Sequence, residues 1–353
     1  MRYKISKLLE EYSRQIIIKE IGVKGQLKLL SSKVVVIGCG ATGSTVAELL
    51  VRAGVGFIKV VDRDFVELSN IPRSHLHVEG DADSAKPKAL SCAEKLSKIN
   101  SFSKVVPLIT EVTQSNIEDL ISDADVVIDA TDNYEIRYLI NDAALKLSKP
   151  WVHIGVGGWY GQVMFIKPYE TACFRCLLPQ PPPDVGDACN VLGVMNTLVS
   201  MVASIAVNEV IKYLVGLEVG NYLIFVDALR TQVSKFKVDR NPECPSCSLG
   251  RLDFLSQREY RRTKVICGSN SIQVYPSSQI SLKFEDLQDL DIEGIDVISI
   301  TPHTLRVRID GYEVTLFNDG RAIVSSLTDE KIALKVYESL LSKLGSRGEH
   351  NEY

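Results

Sequence analysis

Short β-branched runs alternate with amphipathic segments along the first half of the chain. The runs predict buried strands at 33–38, 57–62, 105–109, 124–130, 151–156 and 162–168. Apolar residues at helical spacing predict helices at 6–20, 45–52, 84–99, 114–121 and 134–147. Alternation of strand and helix is typical of a parallel sheet that is covered on both faces. We therefore predict an α/β fold with a doubly wound, Rossmann-like, mostly parallel sheet.

The pattern changes after the last of these strands. A proline-rich connection at 177–190 predicts an irregular crossover loop, and an apolar stretch follows at 191–207. A membrane-spanning helix needs about 20 uninterrupted apolar residues. This stretch is interrupted by four polar side chains, those of Asn196, Thr197, Ser200 and Ser204. We therefore expect a helix buried in a core or in a dimer interface, and no membrane span.

A hairpin and a small separate domain are predicted beyond the apolar stretch. Strand patterns at 222–228 and 231–238 indicate an antiparallel hairpin. Further on, Asp310-Gly311 and Asp319-Gly320 mark two strand–turn–strand junctions, and a helix is predicted at 328–344. We therefore divide the chain into an α/β domain at 1–250 and a small α+β C-terminal domain at 251–353. The second domain carries no recognisable chemistry.

Composition and charge exclude several classes of protein. The chain has 353 residues, of which 45% are apolar and 24% charged, and this excludes a disordered chain, collagen and a coiled-coil rod. A net charge of −4 does not favour binding of nucleic acid by bulk electrostatics. The segment 1–15 lacks the apolar core of a signal peptide. We expect a cytoplasmic protein.

A glycine-rich turn lies between the first predicted strand and the helix after it. Its residues include Gly38, Gly40, Ala41 and Gly43. Glycines let the backbone approach a phosphate at a helix N-terminus, where free N–H groups favour an anion. Asp62 ends the next strand, where a ribose-binding acid belongs. Alone, this pattern indicates a nucleotide, with NAD as the default, and the alternative is a turn without a ligand.

Charged and amide side chains cluster at the predicted strand ends. The set is Asp62, Asp64, Asn70, Arg73, Lys86, Lys88, Asp132 and Asn133. Open α/β sheets bind ligands at the carboxyl ends of their strands. A triphosphate needs cations for its oxygens and a carboxylate for Mg²⁺, whereas a dinucleotide dehydrogenase does not need such a cluster. The set therefore favours ATP with Mg²⁺, and for any single residue the alternative is solvated surface charge.

Four of the eight cysteines form two CxxC pairs. The pairs are Cys173 with Cys176 and Cys244 with Cys247. Four thiolates are a typical ligand set for a closed, structural zinc site. The long gap between the pairs means that the metal would tie two distant segments together, and the alternative is redox or free thiols. We interpret Cys39, Cys92 and Cys267 as small buried residues, and the five scattered histidines as surface or structural residues.

In order and spacing, these motifs resemble the MoeB/ThiF family, the prokaryotic relatives of ubiquitin-activating enzymes. The resemblance spans about residues 1–250 and rests on YSRQI at 12–16, GCGATG, DRDFVELSNIPR, KPKA, DATDN, the CxxC pairs and ACNVLGVMN at 188–196. It implies ATP-dependent adenylation of the C-terminal glycine of a small ubiquitin-fold protein that ends in Gly-Gly. It also implies a homodimer, and a separate sulfur donor protein where sulfur is transferred.

The resemblance also implies roles for individual residues. Asp62 would bind ribose, Asp132 would bind Mg²⁺, and Arg14 would reach into the ATP site of the partner subunit. The phosphates would be held by Asn70, Arg73 and Lys88. Lys86 fills the position beside the usual lysine, so both lysines remain candidates.

Cys189 is the candidate acyl acceptor. The matching cysteine forms a covalent link to the carrier in some relatives. We expect a helix to begin near residue 192, just after Cys189. The partial positive charge at a helix N-terminus lowers the pKa of a nearby cysteine. We therefore expect Cys189 to accept the acyl group after adenylation, and the alternative is an inert cysteine at a helix start.

Three functional hypotheses follow. The leading one is an activating enzyme for a ubiquitin-like or sulfur-carrier protein. The second is an NAD-dependent oxidoreductase, against which the lysine–arginine–aspartate set argues. The third is a non-catalytic binder of a ubiquitin-fold protein, against which the intact nucleotide set argues because a degenerate site should have lost Arg73 or Asp132.

Overall fold

The structure, a computed structural model, describes residues 2–182, 193–256, 262–266, 270–276, 282–284 and 294–345. The chain divides into two compact units, Met1–Arg258 and Glu259–Tyr353. The boundary lies beyond the predicted position at 250 because a short helix after it belongs to the first unit. In that helix Phe254 stacks on Tyr138 with ring centroids 4.6 Å apart.

An eight-stranded sheet forms the centre of the first unit. Its strands are β1 (Lys33–Ile37), β2 (Phe57–Val61), β3 (Lys104–Leu108), β4 (Val126–Asp129), β5 (Trp151–Gly157), β6 (Tyr160–Ile166), β7 (Tyr222–Asp227) and β8 (Gln232–Lys237). Their order in the sheet is β3-β2-β1-β4-β5-β6-β7-β8. The first five of these run parallel, as in the predicted Rossmann-like fold. The pairings from β5 to β8 are antiparallel.

One strand direction differs from the prediction. The alternation of elements placed 162–168 in the parallel part, but β6 pairs antiparallel with β5. Only a tight turn separates Gly157 from Tyr160, and a parallel pair needs a crossover of a dozen or more residues. The predicted hairpin of β7 and β8 is confirmed.

Helices cover both faces of this sheet. They are α1 (Arg2–Glu11), α2 (Ser13–Ile16), α3 (Gly22–Ser31), α4 (Ala41–Ala53), α5 (Glu79–Asp83), α6 (Lys88–Ile99), α7 (Ile117–Ile121), α8 (Tyr134–Leu147), α9 (Phe174–Leu177), α10 (Asn196–Val215) and α11 (Asp253–Ser256), with a 3₁₀ helix at Leu68–Arg73. Alternate residues of β1 serve opposite faces. Val34 and Val36 lie in the core with α4, α6 and α10. Val35 and Ile37 lie in the core with α7 and α8, which explains the unbroken apolar run of this strand.

Two predicted helices begin or end elsewhere. The single helix expected at 6–20 is the second half of α1 followed by α2, because the chain turns at Tyr12, whose side chain is buried and receives a 2.5 Å hydrogen bond from Asn100. Of the helix expected at 84–99, only Lys88–Ile99 is helical, as α6, and a turn precedes it. Pro87 precedes the first residue of α6, and proline is tolerated at a helix start but not in its interior.

The apolar stretch forms α10, which begins at Asn196 rather than near 192. Among the described residues, α10 is the one helix that is long and apolar enough to span a membrane. However, 56% of its most apolar window is buried in the protein. Leu198, Val202 and Ala206 have no exposed surface and pack in the core of the sheet. The predicted burial of this helix is therefore confirmed.

The second unit is an antiparallel sheet with one long helix. Its elements are β9 (Thr263–Ile266), β10 (Ser271–Val274), β11 (Ile295–Ile300), β12 (Thr304–Ile309), β13 (Tyr312–Phe317), β14 (Ala322–Val324) and α12 (Glu330–Gly345). The strand order is β11-β12-β13-β14-β10-β9. Asp310 and Gly311 join β12 to β13 with positive φ angles of 51° and 82°, as the predicted hairpin turn requires. Tyr337 of α12 is buried against this sheet.

Candidate active site

The glycine turn connects β1 to the N-terminus of α4 at the carboxyl edge of the parallel strands. Gly38 has a φ of 92°, and a Cβ there would lie 2.7 Å from the Ala130 carbonyl oxygen. A Cβ on Gly43 would clash with the Gly38 carbonyl oxygen. A Cβ on Gly40 would meet no atom within 4 Å. The turn therefore has no room for a side chain at Gly38 or Gly43 but is open at Gly40. Ala41 is partly exposed as the first residue of α4, where free N–H groups favour an anion.

Asp62 follows β2 and lies beside this turn. One of its carboxylate oxygens accepts a 2.5 Å hydrogen bond from the Cys39 backbone, and the other accepts a 2.7 Å bond from the Asp64 backbone. Burial raises the pKa of Asp62, while the charge of Lys88 opposes this shift. The carboxyl group is therefore fixed in place at the predicted ribose position.

The two candidate lysines have different surroundings. Lys88 begins α6, and its ammonium lies 3.3 Å from Asp64 Oδ2. Burial would lower the pKa of Lys88, but the carboxylates of Asp64, Asp62 and Asp132 outweigh burial and raise it. Lys86 is 2.7 Å from Glu94 and 3.9 Å from Asp81. The carboxylates of the predicted nucleotide site therefore stabilise the charge of Lys88, whereas Lys86 is paired with Glu94 and Asp81.

Asp132 lies in the loop between β4 and α8. Its side chain is exposed at the same sheet edge as the glycine turn, and its charge contributes to the field on Lys88. Asn133, also a candidate, has a structural task. Its side-chain oxygen caps α8 by accepting hydrogen bonds of 2.8 Å from Glu135 and 3.3 Å from Ile136.

Asn70 and Arg73 lie on the 3₁₀ helix. Asn70 is buried, and its side-chain oxygen accepts a 3.0 Å bond from the Glu67 backbone. Arg73 is partly exposed, and it donates a 3.1 Å bond to the Ser69 carbonyl. The Pro72 carbonyl accepts a 3.2 Å bond from Asn196, which joins this helix to the start of α10.

Two further candidates are not brought to this cluster. Arg14 is exposed on α2, and within the described part of the chain it makes no side-chain hydrogen bond or ion pair with the nucleotide-site residues. Cys189 lies outside the described residues. The described helix α10 begins at Asn196, seven positions after Cys189, rather than near residue 192 as expected.

A disulfide joins the glycine turn to α6, between Cys39 and Cys92. Both side chains are fully buried, as predicted. The bond itself was not predicted, because a separation of 53 positions carries no pairing signal.

His77 supports the same turn through a 2.8 Å contact between Nε2 and the Cys39 carbonyl oxygen. Burial lowers the pKa of His77, so it is a neutral donor here.

The four CxxC cysteines converge on one point. Their sulfur atoms are 3.5 Å apart for Cys173 and Cys244, 3.9 Å for Cys173 and Cys176, and 3.5 Å for Cys176 and Cys247. Zinc bound by four sulfurs at about 2.3 Å requires tetrahedral edges of roughly 3.8 Å. The sulfur distances bracket this value, so the donor set fits zinc.

Comparison with known proteins identifies the family. The ThiF family model matches residues 12–246, well over half of the chain. The chain belongs to the ThiF family. The matched region contains the glycine turn, Asp62, Lys88, Asp132 and the first three of the four clustered cysteines.

Curated relatives agree with this membership. The chain is 36% identical to the sulfur carrier protein ThiS adenylyltransferase of Bacillus subtilis, over 92% of this chain and 97% of that protein. It is 37% identical to the sulfur carrier protein adenylyltransferase of Thermus thermophilus, over 74% and 97%. It is 36% identical to the SAMP-activating enzyme E1 of Haloferax volcanii, over 71% and 93%. None of these three carries the name of an oxidoreductase or of a non-catalytic binder.

Solved structures support the fold of this ThiF-family chain. A crystal structure of E. coli MccB matches with a TM-score of 0.59 at 21% identity, over 67% of this chain and 72% of that one. A structure of PaaA matches with a TM-score of 0.55 at 21% identity, over 66% and 74%. The resemblance to the MoeB/ThiF family and the α/β fold class are both confirmed.

Proposed function

We propose that this chain catalyses ATP-dependent adenylation of the C-terminal glycine of a ubiquitin-like sulfur carrier protein. The names of its relatives in Bacillus, Thermus and Haloferax support this activity and this kind of partner. The observation that carries the proposal is the grouping of Lys88, Asp62, Asp64 and Asp132 at the sheet edge beside an open glycine turn.

The chemistry of the reaction fits this grouping. The carrier carboxylate attacks the α-phosphorus of ATP, a P–O bond forms, and the bond to pyrophosphate breaks. The attacking group is already an anion, so no general base is needed. The protein has to position two anions against each other and neutralise their charge. ATP and Mg²⁺ are accordingly the cofactors of this proposal.

Each site residue then has a proposed task. The glycine turn and the first turn of α4 receive phosphate oxygens, and Asp62 receives the ribose hydroxyls. Arg73 and Lys88 neutralise the phosphates, with Asn70 beside them. Asp132 holds Mg²⁺, which shields phosphate charge when bound. Lys86 is left out of the proposed machinery because its ammonium is 2.7 Å from Glu94.

A pyrophosphate-exchange assay tests the function. The purified full chain should exchange labelled pyrophosphate into ATP only when a ubiquitin-fold protein ending in Gly-Gly is present. A carrier truncated by its last glycine is the matched control, because it keeps the folded surface and loses the reacting carboxylate position. Exchange that is indifferent to this truncation, or NAD binding without any exchange, would refute the proposal.

The cysteine cluster completes the proposal as a structural zinc site. Cys173, Cys176, Cys244 and Cys247 would hold the ion, and a site closed by four thiolates leaves no position for a substrate. The ion would link the segment before α9 to the segment after β8, 71 positions along the chain.

We further propose a homodimer in the cytoplasm. Arg14 is exposed on α2, where it is available to the nucleotide site of a second copy. Where the activated carrier passes on sulfur, a separate donor protein supplies it. Cys189 remains a proposed covalent acceptor on the basis of the sequence motif alone.

A further inference from the structure

A buried polar network lies behind the loop that carries Asp132. Asp129 and His153 have no exposed surface, and Arg137 is only 6% exposed. Asp129 ends β4, His153 is its register partner on β5, and Arg137 is in the first turn of α8. Charged groups are costly to bury unless each has a defined partner. None of these three side chains has a role in the adenylation chemistry described above.

Both oxygens of the Asp129 carboxylate are occupied. One accepts hydrogen bonds from the Thr131 backbone at 3.1 Å and from the Thr131 hydroxyl at 2.7 Å. The other lies 3.1 Å from His153 Nδ1 and 3.3 Å from Arg137 Nε. Arg137 also donates a 2.6 Å bond to the Thr131 carbonyl. Thr131 is therefore held through its N–H, its hydroxyl and its carbonyl.

Asp132 is fixed from both sides. Thr131 precedes it, and Asn133, which follows it, is held as the cap of α8. Asp132 itself projects to the exposed side of the loop. The direction of its carboxylate therefore depends on how firmly its two neighbours are held.

The histidine has a defined protonation state in this network. Its Nε2 faces the side-chain nitrogen of Gln162 at 3.1 Å, and this nitrogen is a donor, so Nε2 accepts. Burial lowers the pKa of His153, which keeps the ring neutral. The ring proton consequently lies on Nδ1 and is donated to Asp129.

We propose that His153 is a positioning residue for the metal-binding loop. Through Asp129 it holds Thr131, and it thereby sets the orientation in which Asp132 receives Mg²⁺. Arg137 acts on the same carboxylate and on the same threonine. This inference rests on the metal role given to Asp132 in the proposed function.

Two amide substitutions of His153 test the inference. In His153→Asn the side-chain nitrogen takes the place of Nδ1 and can still donate to Asp129. In His153→Gln it takes the place of Nε2 and cannot donate there in the same geometry. The readout is the Mg²⁺ concentration that half-saturates ATP binding to the full chain, measured by calorimetry without any carrier. We expect His153→Gln to raise this concentration about 10-fold, the scale of one bond to a charged group. We expect His153→Asn to stay within about 2-fold of the parent chain.

A third variant and a double variant complete the test. Thr131→Val removes one donor to Asp129 and should shift the Mg²⁺ dependence in the same direction, which covers the case in which His153→Gln does not fold. In the Asp132→Ala background, His153→Gln should cause no further shift, because the effect passes through Asp132. Equal behaviour of the Asn and Gln variants, or a shift that persists without Asp132, would overturn the inference.

The same measurements separate this inference from the proposed function. If Asp132→Ala alone leaves the Mg²⁺ dependence unchanged, the metal role of Asp132 is wrong and so is this inference. If the parent chain binds MgATP but exchanges no pyrophosphate with any carrier, the proposed function fails while the His153 comparison still decides the positioning role.

Discussion

Lys88 donates to Asp64 across a distance of 3.3 Å, just beyond the end of β2. The carboxylates of Asp62 and Asp132 also stabilise its positive charge, which in the proposed function neutralises the phosphates of ATP. We predict that Lys88→Ala slows carrier-dependent pyrophosphate exchange by at least about 10-fold, the scale of one charge-stabilising contact. Arg73→Ala and Asp132→Ala should have effects of the same size.

Lys86→Ala is the matched control for this prediction. It removes the same charge two positions away, from an ammonium that contacts Glu94 and Asp81 instead. We expect its exchange rate to stay within about 3-fold of the parent chain. If the two lysine variants are equally impaired, the distinction drawn from the structure is wrong.

The grouping of the proposed nucleotide-site residues could be predicted from the sequence because of how parallel strands are arranged. Their carboxyl ends meet at one edge, so Gly38 after β1, Asp62 after β2 and Asp132 after β4 had to be neighbours. The choice between Lys86 and Lys88 could not be made in this way. It depends on the extended bridge between Phe65 and Pro87 and on the start of α6 at Lys88, and both are tertiary features.

Other features had no local signal at all. Cys39 and Cys92 meet because α6 packs over the glycine turn, which no sequence spacing indicates. In the sequence, His153 is a single histidine within an apolar strand. Only the register of β5 against β4 places it beside Asp129. The four CxxC cysteines were recognised because their pairwise spacing is itself the signal of a metal site.

The cysteine cluster yields a prediction about metal content. The purified chain should contain about one zinc per chain, and Cys176→Ser or Cys247→Ser should release it and lower the unfolding temperature. The loss follows because the ion closes a loop of 71 positions. Cys267→Ser, outside the cluster, is the control and should keep its zinc. Elemental analysis of reduced protein with no zinc would contradict the prediction.

The disulfide between Cys39 and Cys92 yields a prediction about stability. Alkylation of the unfolded, unreduced chain should leave only these two of the eight cysteines unmodified. In the chain-entropy account, a cross-link over this separation contributes about 4 kcal/mol to stability. A dithiol reductant should therefore lower the unfolding temperature by roughly 10 °C. Cys92→Ala is the control, since any further effect of reductant on it arises elsewhere. Full alkylation of the unreduced chain would show that the bond is absent.

Arg14 yields a prediction about subunit exchange. If its guanidinium serves the partner's nucleotide, Arg14→Ala should slow exchange by about 10-fold in a homodimer. Mixing Arg14→Ala with Asp132→Ala chains should restore part of the activity, because one of the two sites in a mixed dimer then has an intact Arg14 and an intact Asp132. Mixing two preparations of the same variant is the control. No recovery in confirmed mixed dimers would place Arg14 in its own subunit's site or outside catalysis.

Cys189, which lies outside the described residues, yields a prediction about covalent transfer. The reason is chemical. An acyl-adenylate is open to attack by a thiolate, which forms a thioester with the carrier and releases AMP. We predict that Cys189→Ala keeps pyrophosphate exchange, since adenylation precedes the transfer, but loses the reductant-sensitive adduct between enzyme and carrier on a non-reducing gel.

The control for Cys189 is Cys267→Ala, which removes another cysteine outside the disulfide and the zinc cluster and should keep the adduct. An adduct that survives in Cys189→Ala but not in Cys267→Ala would move the role to Cys267. A parent chain that exchanges pyrophosphate and never forms an adduct would show that this enzyme only adenylates. In that case the adenylate is the species handed on, and the nucleophile that consumes it has to come from the separate sulfur donor, because no thiol of this chain then intervenes.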